Sequence, residues 1–100
     1  MRERLLPIGS VVLLKESDAR VMISGYLPVA KSNIHYAWDY SGFKFPIGYV
    51  NDDDIYCFNH DQIDEIVQYG FQDYEGIQFV NKLEEIKEDV KKSVKENREE

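Results

Sequence analysis

One hundred residues, 43% of them hydrophobic and 13% aromatic, suffice for one small domain with a single core and leave no material for a second. The formal charge of −7 is lopsided: residues 1–50 carry six Lys or Arg against four Asp or Glu, residues 51–100 six against fifteen. Such an acidic second half repels phosphate, which argues against nucleic acid and anionic membrane surfaces as partners and leaves basic proteins open.

Two apolar runs, residues 10–15 and 20–27, flank the polar turn Glu16-Ser17-Asp18 and read as a hairpin, being rich in Val, Ile, Leu and Tyr and bounded by Gly, Ser, Asp and Pro. The first is apolar on both alternating sets, the mark of a strand covered on two sides or set inside a sheet. In the second, Gly25 marks a bulge or bend. Residues 28–34, with Pro28 and the triplet Lys31-Ser32-Asn33, form a connecting loop. Tyr36, Trp38 and Tyr40 then alternate up to Ser41-Gly42, with Phe43 and Phe45 beyond, which predicts a hairpin turning at Ser-Gly. Pro46 and Gly48 limit the returning strand and place it at an edge or bend, and residues 55–58 add one short strand.

At Phe58-Asn59-His60-Asp61-Gln62-Ile63 the signals of a helix start converge. Asn59 is placed to cap, Gln62 to reach back, and Phe58 and Ile63 to staple. The predicted helix buries Ile63, Ile66 and Val67 and stops at Gly70. A second helix is predicted from about Gly76 to the mid-nineties on the spacing of Phe79, Val80, Leu83, Ile86, Val90 and Val94. Its end, dominated by Lys91, Lys92, Lys95, Glu96, Arg98, Glu99 and Glu100, has little to bury and is expected to fray or to dock on another chain.

The sequence assembles no reactive constellation. Asn51-Asp52-Asp53-Asp54 lacks the alternation, the Gly and the closing Glu of a calcium loop and reads as a solvated turn. His35, Cys57 and His60 are too few for a closed zinc site. Cys57, between Tyr56 and Phe58, is expected to be a buried thiol that behaves as a small hydrophobe. Adjacent pairs such as Asp64-Glu65 and Glu84-Glu85 do not face one another on a helix, and Pro7-Ile8-Gly9-Ser10 is not a phosphate loop. The chain is therefore expected to be no enzyme and to need no cofactor and no metal. A single cysteine permits no internal disulfide, no amino-terminal leader pattern follows Met1-Arg2-Glu3-Arg4, and no apolar run approaches the roughly 20 residues of a membrane span; the expected compartment is the cytoplasm.

The aromatic set is large for this length. An alternating strand buries both faces only where something covers each, so part of the set is expected at the surface, where Trp, Tyr and Phe act as interface anchors. The candidate partner-binding residues are Trp38, Tyr40, Phe43, Tyr69, Phe71 and Tyr74.

Several short motifs, in order, carry a resemblance. Leu6-Pro7-Ile8-Gly9-Ser10-Val11-Val12-Leu13-Leu14, Met22-Ile23-Ser24-Gly25, Asp39-Tyr40, Pro46-Ile47-Gly48-Tyr49, Phe58-Asn59-His60-Asp61-Gln62-Ile63 and Gly70-Phe71 together resemble the domain-of-unknown-function family 4176 over about residues 5–80. The resemblance implies a small bacterial protein encoded beside a type VII secretion system of Gram-positive bacteria, commonly next to an LXG-domain toxin and small WXG-like helical proteins. It implies an accessory or chaperone-like role in export of that toxin and no enzyme activity. The alternative is an acidic immunity protein that occludes a toxin, since acidity speeds encounter with a basic target.

The expected architecture is α+β: a small curved antiparallel sheet of four to five strands followed by two helices. Residues 1–80 are assigned to the domain and 81–100 to a charged helical extension of it.

Overall fold

Runs rich in Val, Ile, Leu and Tyr give strands, and the described residues build five of them followed by one α-helix: β1 (Val11–Leu14), β2 (Arg20–Tyr26), β3 (Tyr40–Phe45), β4 (Tyr56–Phe58), β5 (Ile63–Gln68) and α1 (Tyr74–Glu96). This is the arrangement in a computed structural model that describes residues 4–31 and 33–96. Met1 to Glu3 of the leader reading, Ser32 of the loop triplet and residues 97–100 of the charged tail lie outside the described residues.

The sheet is antiparallel throughout, in the order β4-β3-β2-β1-β5. Its inner face carries Val12, Val21, Ile23, Tyr40 and Phe58, closed over by Leu5 and Leu6 of the amino-terminal segment and by Val80 of α1. Leu14, Tyr26, Ile63, Ile66 and Leu83 pack around that cluster. The α1 stripe is realised from Val80 onward, with Leu83, Ile86, Val90 and Val94 partly buried, whereas Phe79, expected in it, is exposed. Asp73 caps the helix, its Oδ1 accepting from the Gly76 amide at 2.8 Å.

Two expectations fail, each for an identifiable reason. Residues 59–70 are not a helix: a 3-10 turn, His60–Gln62, leads straight into β5. The start signal is genuine, since Asn59 and Gln62 form a capping box around this turn, with Gln62 Oε1 accepting from the Asn59 amide at 2.8 Å. The Asn59 side chain also ties the turn to the rest of the fold: its Oδ1 accepts from the Asp39 amide and its Nδ2 donates to the Tyr36 hydroxyl. The spacing of Ile63 and Ile66 comes from a bulge. Leu14 pairs with Ile63 and Leu13 with Glu65, so Asp64 is the extra residue and both isoleucines turn inward from a strand. The predicted two helices are therefore one helix and a five-stranded sheet.

Ser41-Gly42 is likewise no turn. It lies inside β3, where Gly42 pairs with Ile23 on one side and Tyr56 on the other. A Cβ at Gly42 would stand 2.6 Å from the Met22 carbonyl oxygen, so this glycine admits the neighbouring strand rather than reversing the chain. The chain reverses instead between Phe45 and Tyr56, through Pro46, Gly48 at φ +78° and the 3-10 turn Asp52–Asp54. The bulge expected at Gly25 is present, as the β2–β3 register shifts between Ile23 and Gly25.

The charged end of α1 docks on its own chain. Helix geometry runs unbroken across positions 80 and 81 to Glu96, and Lys91 Nζ meets Asp39 Oδ1 at 2.5 Å.

Candidate functional site

Residues 69–73 carry the chain from the sheet edge to α1, and the amino-terminal segment passes beside them. Gly70 makes the crossing possible: a Cβ there would collide with the Ile8 carbonyl oxygen and lie 2.8 Å from the Ser10 amide. The Gly70 amide donates to the fully buried Ser10 Oγ at 2.9 Å. Between the two segments and the first turns of α1 lies a half-open groove of about 290 Å³. Leu5, Pro7 and Ile8 line it from the amino-terminal segment and Ile77, Phe79 and Val80 from α1, joined by Tyr26 and Phe71, with Arg4, Gln72 and Asp73 as its polar members. Gly76 also lines it, and a side chain at that position would narrow it.

The groove is bordered by aromatic surface that the fold does not use. Phe71 is 81% exposed and Tyr74 78%, and Tyr69, Ile8, Ile77 and Phe79 are all exposed. Such a concentration of unburied apolar side chains around a concavity is typical of a protein-docking surface rather than of a solvated helix start.

The six sequence candidates divide. Phe71 lines the groove, and Tyr69 and Tyr74 belong to the same exposed stretch. Tyr40 is fully buried at the centre of the core and offers no surface. Phe43 lies on the opposite face of the sheet, with Tyr49 edge-on against it at 5.2 Å between ring centroids. Trp38 is only partly exposed and stacks edge-on with Tyr36 at 4.9 Å; its indole N–H is buried without a hydrogen-bond partner among the described residues. The structure thus does not gather the six into one patch. Sequence reasoning missed Ile8, Tyr26, Ile77 and Phe79. The available signal was that Ile77, Phe79, Val80 and Leu83 span more of the helix circumference than one buried stripe requires.

The ionisable groups that converge in this fold serve as fasteners. The Leu6 amide donates to the Tyr40 hydroxyl at 2.9 Å, and that hydroxyl is 2.7 Å from His60 Nδ1. Tyr26 donates to the Leu6 carbonyl at 2.6 Å, and Glu84 Oε2 accepts from the Leu5 amide at 2.7 Å. Burial raises both tyrosine phenols above their ordinary value. At Asp39 burial also works to raise the carboxyl, but the His60 amide on Oδ2, the Lys91 ammonium on Oδ1 and the charge of Lys87 outweigh it and hold the group below the usual carboxylate range.

Burial pushes the Cys57 thiol up, away from the thiolate needed for nucleophilic chemistry at neutral pH. Asp52, Asp53 and Asp54 are solvent-exposed on their 3-10 turn, where Asn51 caps the Asp53 amide. Among the described residues no three His, Cys, Asp or Glu side chains gather as metal ligands, and no helix is long and apolar enough to cross a membrane.

Comparison with known proteins gives one match. The family model for a domain of unknown function (DUF4176) matches residues 5–79, from the groove's amino-terminal lining into its α1 lining. Neither a curated protein nor a solved structure matches the chain.

Proposed function

This chain belongs to the DUF4176 family of domains of unknown function, and from that premise we propose that it is a non-catalytic, chaperone-like adaptor of the cytoplasm, binding an LXG-type toxin for type VII secretion in Gram-positive bacteria. The observation that carries the reading is the apolar groove bordered by Phe71, Tyr74, Ile77 and Phe79, a surface left open by a molecule small enough to need its apolar side chains inside. Two further features support it. The convergent polar groups are engaged in pinning the amino-terminal segment and α1 to the sheet. The family resemblance implies genes for LXG toxins and WXG-like helical proteins as neighbours, which supplies the class of partner. The acidic second half favours a basic partner and speeds its encounter.

Co-expression with the toxin encoded beside it tests the proposal. The two are expected to co-purify at moderate salt, and Phe71→Ser combined with Ile77→Ser is expected to weaken the complex at least 10-fold while leaving the thermal midpoint within a few degrees. Failure of the wild-type pair to co-purify overturns the adaptor. Protection of cells that express only the toxic domain, with binding confined to that domain, replaces the adaptor with an immunity protein.

A further inference from the structure

The sheet face turned away from α1 is laid out by strand register as two rows of side chains. One row runs Phe43, Met22, Val11, Gln68 across β3, β2, β1 and β5; the next runs Phe45, Arg20, Leu13, Glu65. Their neighbours Val12, Val21 and Ile66 point to the core. The one α-helix among the described residues lies on that other side and does not cover these rows; Tyr49 packs against Phe43 at their β3 end. Val11, Leu13, Met22 and Phe43 at the centre are only partly exposed, and the Arg20 guanidinium lies over the Phe45 ring at 5.1 Å.

The charges of this face balance, in a protein of net charge −7. Arg20 and Glu65 flank Leu13, one strand to either side and so each about 4.8 Å from it across the sheet. A two-fold axis parallel to β1 and over Leu13 sets Leu13 against its own copy and Val11 against Val11. It also places each Arg20 opposite the second copy's Glu65, so the pattern is complementary to itself, as an isologous interface requires. Asp52 accepts from the Tyr49 hydroxyl and Tyr49 packs on Phe43, so this acidic turn borders the β3 end of the first row; an axis over β1 carries the second copy's β3 to the opposite side, so the two acidic turns do not face each other.

We propose that this face is a self-association surface on which two copies pack sheet to sheet about that axis. The idea is independent of the adaptor reading, whose groove lies on the helix side. With the axis over β1, three strands of each copy (β2, β1 and β5) overlap, and their two rows cover on the order of 200 Å² per copy from strand spacing, well below the roughly 800 Å² of a standard stable interface, so the dimer is weak and reversible.

Sedimentation velocity of the full chain from about 5 to 500 μM, at neutral pH and moderate salt, reads this directly. The weight-average mass is expected to rise from one copy toward two. Arg20→Glu and Glu65→Arg should each weaken association at least 10-fold, because each sets like charges opposite one another twice, and the double charge swap should restore it. Met22→Lys, on the other row, supplies an independent disruption, and thermal melts establish that each variant is folded. A wild-type chain that stays monomeric throughout, single variants that associate like wild type, or a swap that fails to rescue would each overturn the proposal.

Discussion

At Gly42 and Gly70 a single methyl group meets backbone, which cannot rotate away. The Gly42 Cβ would lie 2.6 Å from the Met22 carbonyl oxygen and 2.7 Å from Val21 Cγ1; at Gly70 it would strike the Ile8 carbonyl. Overpacking of this kind costs about 1–3 kcal/mol, and in a domain of this length each kcal/mol moves the midpoint by roughly 4–8 °C. Gly42→Ala and Gly70→Ala are therefore each expected to lower the melting temperature by about 5–20 °C in a circular-dichroism melt. Gly70→Ala should in addition open the groove by pushing the amino-terminal segment outward. Tyr40→Phe tests the buried fasteners at the same scale. It leaves the Leu6 amide without its acceptor, so a loss of about 1–3 kcal/mol is expected in urea titration, although the ring is fully retained.

Among the elements, α1 is held at both ends. Asp73 caps its start, and Asp73→Ala should cost about 1 kcal/mol. Its far half is held by Lys91 on Asp39, a carboxylate that is mostly buried. Because the folded state holds the Asp39 carboxyl below its unfolded value, this stabilisation is fully present above the unfolded carboxylate range and is lost as pH falls through the folded value. Lys91→Met removes the ammonium and is expected to lower the midpoint near pH 6. The gap to wild type should narrow as pH falls through the folded-state value of Asp39 in the wild type and its carboxyl becomes protonated. A gap that stays constant down to acid would show that Lys91 contributes only the packing of its stem.

The same elements show what local sequence can reveal. α1 was legible because consistent spacing from Phe79 to Val94, about four turns at 3.6 residues each, leaves one solution, and the β1–β2 hairpin because two apolar runs flank a polar turn. β5 was not. Its capping signals are local, whereas the partner that makes it a strand is β1, about fifty residues earlier in the chain, and a bulge gave it the three-residue spacing of a helix. Gly42 misled for a related reason: glycine marks a turn and a close strand approach alike, and only the position of Met22 distinguishes them. Of the candidate site, Phe71 and its neighbours Tyr69 and Tyr74 were legible as surplus aromatics. The amino-terminal lining, Leu5 to Ile8, takes its place only when Tyr26 and Tyr40 fasten Leu6 across the sheet.

At the scale of the whole molecule, one sheet separates two surfaces of different character. The groove lies on the side of α1 and is apolar with aromatic borders; the far side carries the balanced rows centred on Leu13. No residue belongs to both, and the layer between them is the packed core of Val12, Val21, Ile23 and Tyr40. Substitutions at separate sites without shared partners combine additively to within roughly 0.5 kcal/mol. Arg20→Glu is therefore expected to leave capture of the toxin within about 2–3-fold of wild type, and Phe71→Ser to leave the self-association constant equally unchanged. The combined variant should show the sum of the two losses. A titration of toxin into the chain above and below its association midpoint checks the same independence without mutation, because affinity per chain should not depend on whether the chain is paired. Coupling greater than about 10-fold in either measurement would mean that the core between the faces has two arrangements and transmits one binding event to the other.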